Sequence, residues 1–126
     1  MSQNIYIMNS DKIKLLEVID KAAYHMDRTD TNIKALEAEI NKAIVLQQDS
    51  LKDPFIKMNT RAVIAIDQEE EEITLVYPQE ANIKHNKISV LSPIGTAILG
   101  YCEGSSVEWK VPSGNVHIRI HKILHE

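Results

Sequence analysis

A chain of 126 residues, 44% hydrophobic, 25% charged and carrying a formal net charge of −4, has the make-up of ordinary globular material, enough for one domain or two small ones. The acidic balance argues against non-specific nucleic-acid binding, which needs a surplus of lysine and arginine to displace phosphate counterions, and no direct sequence-specific binding is expected. A single cysteine, Cys102, excludes an internal disulfide and fits a reducing cytoplasm, while no apolar run approaches membrane-spanning length and polar Ser2-Gln3-Asn4 does not open a secretory signal.

Asn4 to Met8 is a short apolar lead-in. Ser10 and Asp11 suit a helix cap and a first-turn acid, and Leu16, Ile19, Ala23 and Met26 then recur at helical spacing. Asp27-Arg28-Thr29-Asp30-Thr31-Asn32 interrupts the pattern with turn and capping residues, and Ile33, Leu36, Ile40 and Ala43 carry a second stripe. Two such stripes predict an antiparallel helical hairpin within 1–50, its first helix roughly 24 Å long at about 1.5 Å per residue. Gln47 to Pro54 is a polar linker, ended by Asp53-Pro54, because the residue before a proline is pushed out of helix.

A second unit is expected over 54–126, with Phe55-Ile56 anchoring the linker on it. Ala62 to Ile66 predicts a strand, Asp67 to Glu71 a hairpin turn, and Glu72 to Tyr77 the return strand, which Pro78 ends. Gln79 to Lys87 reads as a polar loop. Ile88 and Val90 alternate with Ser89. Ser92 can then cap a short helix that has Pro93 at its first position and Gly100 at its end. Val107 to Val111 alternates, Pro112 to Asn115 turns, and Val116, Ile118 and Ile120 alternate with His117, Arg119 and His121 in a last strand. The fold class is α+β: a helical hairpin, then an antiparallel sheet with one short helix.

Few residues suggest chemistry. Glu69 to Glu72 on a turn would not converge on an ion, as a cage requires. His117 and His121 share a strand face but sit about 13 Å apart at about 3.3 Å per residue, too far for one zinc. His125 adds no third ligand. Cys102 has no neighbouring lysine or histidine in sequence to activate it. No metal, cofactor or catalytic residue is therefore expected. Asp27 and Asp30, at the hairpin tip, could point the same way, but aspartate there also serves as a helix cap.

The run Ile88-Ser89-Val90-Leu91-Ser92-Pro93-Ile94-Gly95-Thr96-Ala97-Ile98-Leu99-Gly100, followed by Gly104 and by Val107 to Gly114, resembles the C-terminal domain of the bacterial GreA/GreB transcription factors. Met58-Asn59-Thr60-Arg61 and Leu75-Val76-Tyr77-Pro78 resemble signatures of the Rnk-like branch (regulators of nucleoside diphosphate kinase). The resemblance covers about 58–124, and the N-terminal part by architecture only. It implies an FKBP-like C-terminal fold, a cytoplasmic bacterial regulator, and binding to RNA polymerase at its secondary channel through Ser89, Leu91, Ser92 and Pro93. Gre members carry an acidic residue where this chain has Leu91, whereas Rnk-like members have an apolar one. Two other functions compete: a transcript-cleavage factor, whose hairpin-tip acids help hold a catalytic magnesium, and a prolyl isomerase of the same fold. The hairpin expected here is much shorter than that of a cleavage factor, and Met26 to Thr31 do not match the Gre tip motif. Phe55, Tyr77, Tyr101 and Trp109 are spread over different elements, unlike an isomerase pocket. The expectation is a non-enzymatic regulator.

Overall fold

The computed structural model describes residues 4–25, 31–47 and 54–124. Strand β1 (Tyr6–Met8) leads into helix α1 (Asn9–His25); helix α2 (Thr31–Lys42) returns into strand β2 (Ile44–Leu46). A five-stranded sheet follows, formed by β3 (Arg61–Ile66), β4 (Glu69–Val76), β5 (Lys87–Ser89), β6 (Ser106–Val111) and β7 (Gly114–Leu124), with helix α3 (Pro93–Ile98) between β5 and β6. The strand order is β5-β4-β3-β7-β6. This is the α+β architecture expected: a helical hairpin ahead of a mostly antiparallel sheet that carries one short helix.

The α2 stripe forms as its spacing predicts, with Ile33, Leu36 and Ile40 buried and Ala43 partly so. The α1 stripe is shifted by one residue. Leu15 is fully buried and Ile19 nearly so, flanked by Val18 and Ala22, whereas Leu16 is 39% exposed. Adjacent leucines offer two phases for the same helical period, and packing against α2 selects the first. Ala23 and Met26 lie outside the described side chains. Asp27, Asp30, His125 and most of the expected linker lie outside the described residues.

β1 and β2 pair in parallel, Tyr6 opposite Ile44 through Met8 opposite Leu46, so the two ends of the hairpin are tied together. The apolar lead-in is therefore a strand. β1 also joins the larger unit: the Tyr6 N–H donates to the Gly100 carbonyl at 3.0 Å. Gly100 has φ +86°, and a Cβ there would sit 2.7 Å from the Tyr6 carbonyl oxygen, so glycine is required on both grounds. Phe55 and Ile56 are buried as expected. The Ile56 N–H donates to the Tyr101 carbonyl, and the Gly100 N–H donates to that of Ile56. One continuous apolar cluster runs from Ile5, Leu15 and Leu36 through Ile64, Leu75 and Ile98 to Ile120.

Four local expectations are corrected. The turn after β3 is only Asp67-Gln68, both at positive φ (47° and 80°), so Glu69 to Glu72 begin β4 opposite Ile66 to Val63. Their side chains line an exposed strand, where Glu72 pairs with Arg61 at 2.9 Å and Glu70 lies 3.8 Å from His121. The expected polar loop contains two short 3-10 turns, Pro78–Glu80 and Ile83–His85. β5 runs parallel to β4 rather than antiparallel. In β7 the inward set is Ile118, Ile120 and Ile123, because a bulge opposite Val63/Ile64 inserts one residue. His117 and His121 are exposed, as their alternation predicts.

Candidate functional site

The corner between β5 and α3 is built from backbone hydrogen bonds that two serines complete. The Ser89 hydroxyl accepts from the Leu91 N–H at 3.0 Å. The Ser92 hydroxyl donates to the Ser89 carbonyl at 2.6 Å and accepts from the Gly95 N–H at 3.1 Å, so Ser92 caps α3 with Pro93 in its first turn. Both hydroxyls are thus engaged locally. What the corner offers a partner is the half-buried apolar set Leu91, Pro93 and Ile94. Gly95 lets α3 approach β5: a Cβ at that position would lie 2.1 Å from the Ser89 carbonyl oxygen.

The hairpin is fastened to this corner. The Asn32 side-chain amide donates to the Leu91 carbonyl and to the Thr96 hydroxyl, the latter at 3.1 Å. Thr96 is fully buried and donates in turn to the Val90 carbonyl at 2.8 Å. Sequence reasoning counted Asn32 only among the turn and capping residues. No local pattern marks it out, because its partners lie 59 and 64 residues along the chain.

A cleft of about 690 Å³ opens beside the corner, between α1 (Lys14, Val18, Lys21) and Tyr77, Pro78 and Leu91. Leu91 therefore borders both the corner and the cleft. Below it, Asp11 fastens the start of α1 to the segment before β3 by accepting from the Met58 N–H at 3.3 Å. Burial pushes the Asp11 carboxyl above its ordinary pKa, although the Met58 N–H, Lys14 and Lys57 act in the opposite direction. The Tyr77 hydroxyl is buried near Asp11 without a hydrogen bond of ordinary geometry among the described residues. Burial first, and then the negative Asp11, push its pKa up to about 12. At the other end of the hairpin, Glu39 is buried and pairs with Lys42 at 2.8 Å, raising the lysine. Burial, then Glu39, raises Tyr101. Cys102 is half-buried, bridged to Phe55.

Of the residues singled out from sequence, Ser89, Leu91, Ser92 and Pro93 form this one corner. Among the described residues there is no group of three His, Cys, Asp or Glu side chains placed to hold a metal, and no helix long and apolar enough to cross a membrane.

Residues 51–125 match the family model for the C-terminal domain of transcription elongation factors GreA/GreB, and 3–46 match that for the Rnk N-terminus. The chain belongs to the GreA/GreB family. It is an Rnk-like member of it. Transcription elongation factor GreA of Thermodesulfovibrio yellowstonii is 32% identical over 117 residues, spanning 87% of this chain and 74% of that one. The regulator of nucleoside diphosphate kinase of Escherichia coli K12 is 33% identical over 82 residues, 64% of this chain and 60% of its own. A solved GreA/GreB factor from Nitrosomonas europaea superposes with a TM-score of 0.74 at 28% identity, covering 98% of this chain and all of that one. In this Gre-family chain the Rnk match ends with β2, and the GreA/GreB match contains the whole five-stranded sheet, the β5–α3 corner included.

Proposed function

We propose that this protein is a cytoplasmic regulator that binds bacterial RNA polymerase at the rim of its secondary channel without stimulating transcript cleavage. Binding is assigned to the Ser89, Leu91, Ser92, Pro93 corner. Leu91 and Pro93 supply the contact, and the two serines hold the backbone that presents them. The observation that carries the second half of the reading is Asn32. It lies two residues after Asp30 and is held on the Leu91 carbonyl. A cleavage factor must carry its tip acids away from the docking domain to a magnesium ion, and carboxylates ligate magnesium only within about 2.1 Å. Here α1 has 17 residues, about 26 Å at the helical rise, and α2 only 12. The start of α2 is anchored beside the docking corner, which favours occupancy of the channel mouth over delivery of Asp27 and Asp30. The isomerase alternative finds little support. Phe55 and Tyr101 are buried in the core, Trp109 lies on β6, and Tyr77 alone of the four borders the cleft.

The same reading divides the chain into a hairpin unit, 1–50, and a sheet unit, 54–126, a division supported by the place where the two family models meet. The test is a stalled elongation complex carrying labelled RNA. The protein should bind it, displace a Gre factor and lower cleavage. Pro93→Glu, confirmed folded by circular dichroism, should bind less. Undiminished binding by that folded variant removes the corner from the site. Cleavage stimulated by this protein and lost in Asp27→Ala or Asp30→Ala overturns the reading in favour of a cleavage factor.

A further inference from the structure

The two edges of the five-stranded sheet differ. β5 is three residues long and is covered: the Asn82 and Lys87 N–H groups each donate to the other's carbonyl at 2.9 Å. β6 is six residues long and forms the opposite edge. The Ile120 N–H donates to the Ser105 carbonyl, so along this antiparallel ladder the odd-numbered positions Val107, Trp109 and Val111 face their β7 partners. The N–H and C=O groups of Glu108 and Lys110 therefore point away from the sheet. Among the described residues no backbone hydrogen bond reaches them from another element. Their side chains are exposed and form no ion pair among the described residues.

We propose that this edge is a self-association surface, on which β6 of a second copy pairs antiparallel with β6 about a two-fold axis through Trp109. Parity and charge select this register. Outward-facing residues must meet in hydrogen-bonded pairs. Centring the axis on Trp109 sets Glu108 opposite Lys110 twice, giving four backbone hydrogen bonds and two cross-strand pairs of opposite charge. Centring it on Glu108 or on Lys110 would put like charges face to face. Pro112, which has no N–H, falls opposite Ser106 and ends the ladder. The half-buried Val107, Trp109 and Val111 lie on the opposite face of β6 from Glu108 and Lys110, and on pairing Trp109 meets its symmetry mate while Val107 and Val111 meet each other. A strand partner of other sequence would satisfy the backbone equally well. The self-complementary charges are what favour a second copy. The short ladder makes the pairing weak and reversible.

Trp109 is the sole tryptophan of the chain, so its emission reports on this surface directly. Sedimentation velocity and tryptophan emission are read on the full chain over a dilution series. The expected result is a monomer–dimer equilibrium accompanied by a blue shift on concentration. Glu108→Lys should weaken dimerisation by about tenfold by opposing like charges. The double variant Glu108→Lys/Lys110→Glu restores opposite charges and should recover it, which also shows that the charge-altered strand still folds. A chain that stays monomeric across the series overturns the proposal. So does a dimer indifferent to Glu108→Lys, or one that the double variant fails to restore.

Discussion

Gly95→Ala sets a local preference against a packing requirement. In an exposed helix the change would stabilise by about 1 kcal/mol, because alanine is the better helix former. Here the added methyl would sit 2.1 Å from the Ser89 carbonyl oxygen and 3.0 Å from the Ser92 hydroxyl. Its nearest neighbour is backbone, so α3 must move off β5 by roughly 1 Å to reach ordinary contact. That movement stretches the 2.6 Å bond from the Ser92 hydroxyl to the Ser89 carbonyl and the 3.0 Å bond from the Ser92 N–H to the same oxygen. Overpacking costs about 1–3 kcal/mol, and each weakened hydrogen bond about 0.5–1.5 kcal/mol. After the helix gain is subtracted, a net loss of about 2 kcal/mol is expected, a drop in Tm of roughly 5–10 °C. Urea unfolding followed by far-UV circular dichroism measures it. Gly104→Asn is the control, since Gly104 at φ +88° has open space around it and asparagine tolerates that conformation. The control should stay within about 0.5 kcal/mol of the parent. If Gly95→Ala is as stable as the parent or more so, the close approach of α3 to β5 is not what demands glycine.

Gln68→Gly should stabilise by about 1 kcal/mol in the same urea assay, because Gln68 holds φ 80° in a two-residue hairpin turn that glycine adopts without strain. Leu15→Ala should cost about 2–5 kcal/mol and Leu16→Ala under 1 kcal/mol; equal losses would contradict the phase of α1. Asn32→Ala should cost about 1–3 kcal/mol by urea unfolding, and hydrogen exchange should show faster opening of 90–96. Tyr77→Phe tests the alkaline limb. With a folded pKa of about 12 against an ordinary 10, the folded state holds the proton longer, so stability falls as pH rises from 10 to 12. The variant should flatten that fall, leaving a residue from Tyr101, and a curve identical to the parent's would refute the assignment. Asp11, raised by burial, works in the same sense at lower pH. Its share of stability is greatest in acid and declines as pH climbs from just below its ordinary 3.8 through the folded value, so Asp11→Asn should remove that slope from thermal melts.

Legibility from sequence followed the range of the interactions. Ser92-Pro93 and Gly100 announced α3 because capping chemistry is local, and Ile33, Leu36 and Ile40 announced α2 because their spacing admits one phase. Leu15-Leu16 admitted two, and only the tertiary contact chose. The β1–β2 pairing joins Tyr6 to Ile44, strands of three residues whose pattern is too short to register and whose partner is far along the chain. The glutamate run read as a turn through its charge, although a two-residue turn at Asp67-Gln68 was enough. The β5–α3 corner was visible as a motif. Its fastening to the hairpin was not, because a single Asn32 side chain carries it across 59 residues to Leu91 and 64 to Thr96.

The surplus residue in β7 has a consequence for how the chain finds its partner strand. Ile118, Ile120 and Ile123 are chemically interchangeable, and β3 faces them with Ile66, Ile64 and Ala62. An unbroken alternation of such residues could slide by two positions and still bury an isoleucine at every inward site. The bulge forbids this, because inward positions are spaced two apart before it and three apart across it. Like the offset marks of a vernier, the two halves of the ladder coincide at one setting only. A strand of repeated isoleucine thereby acquires a unique alignment, and deletion of either His121 or Lys122 would turn it into one that can slip.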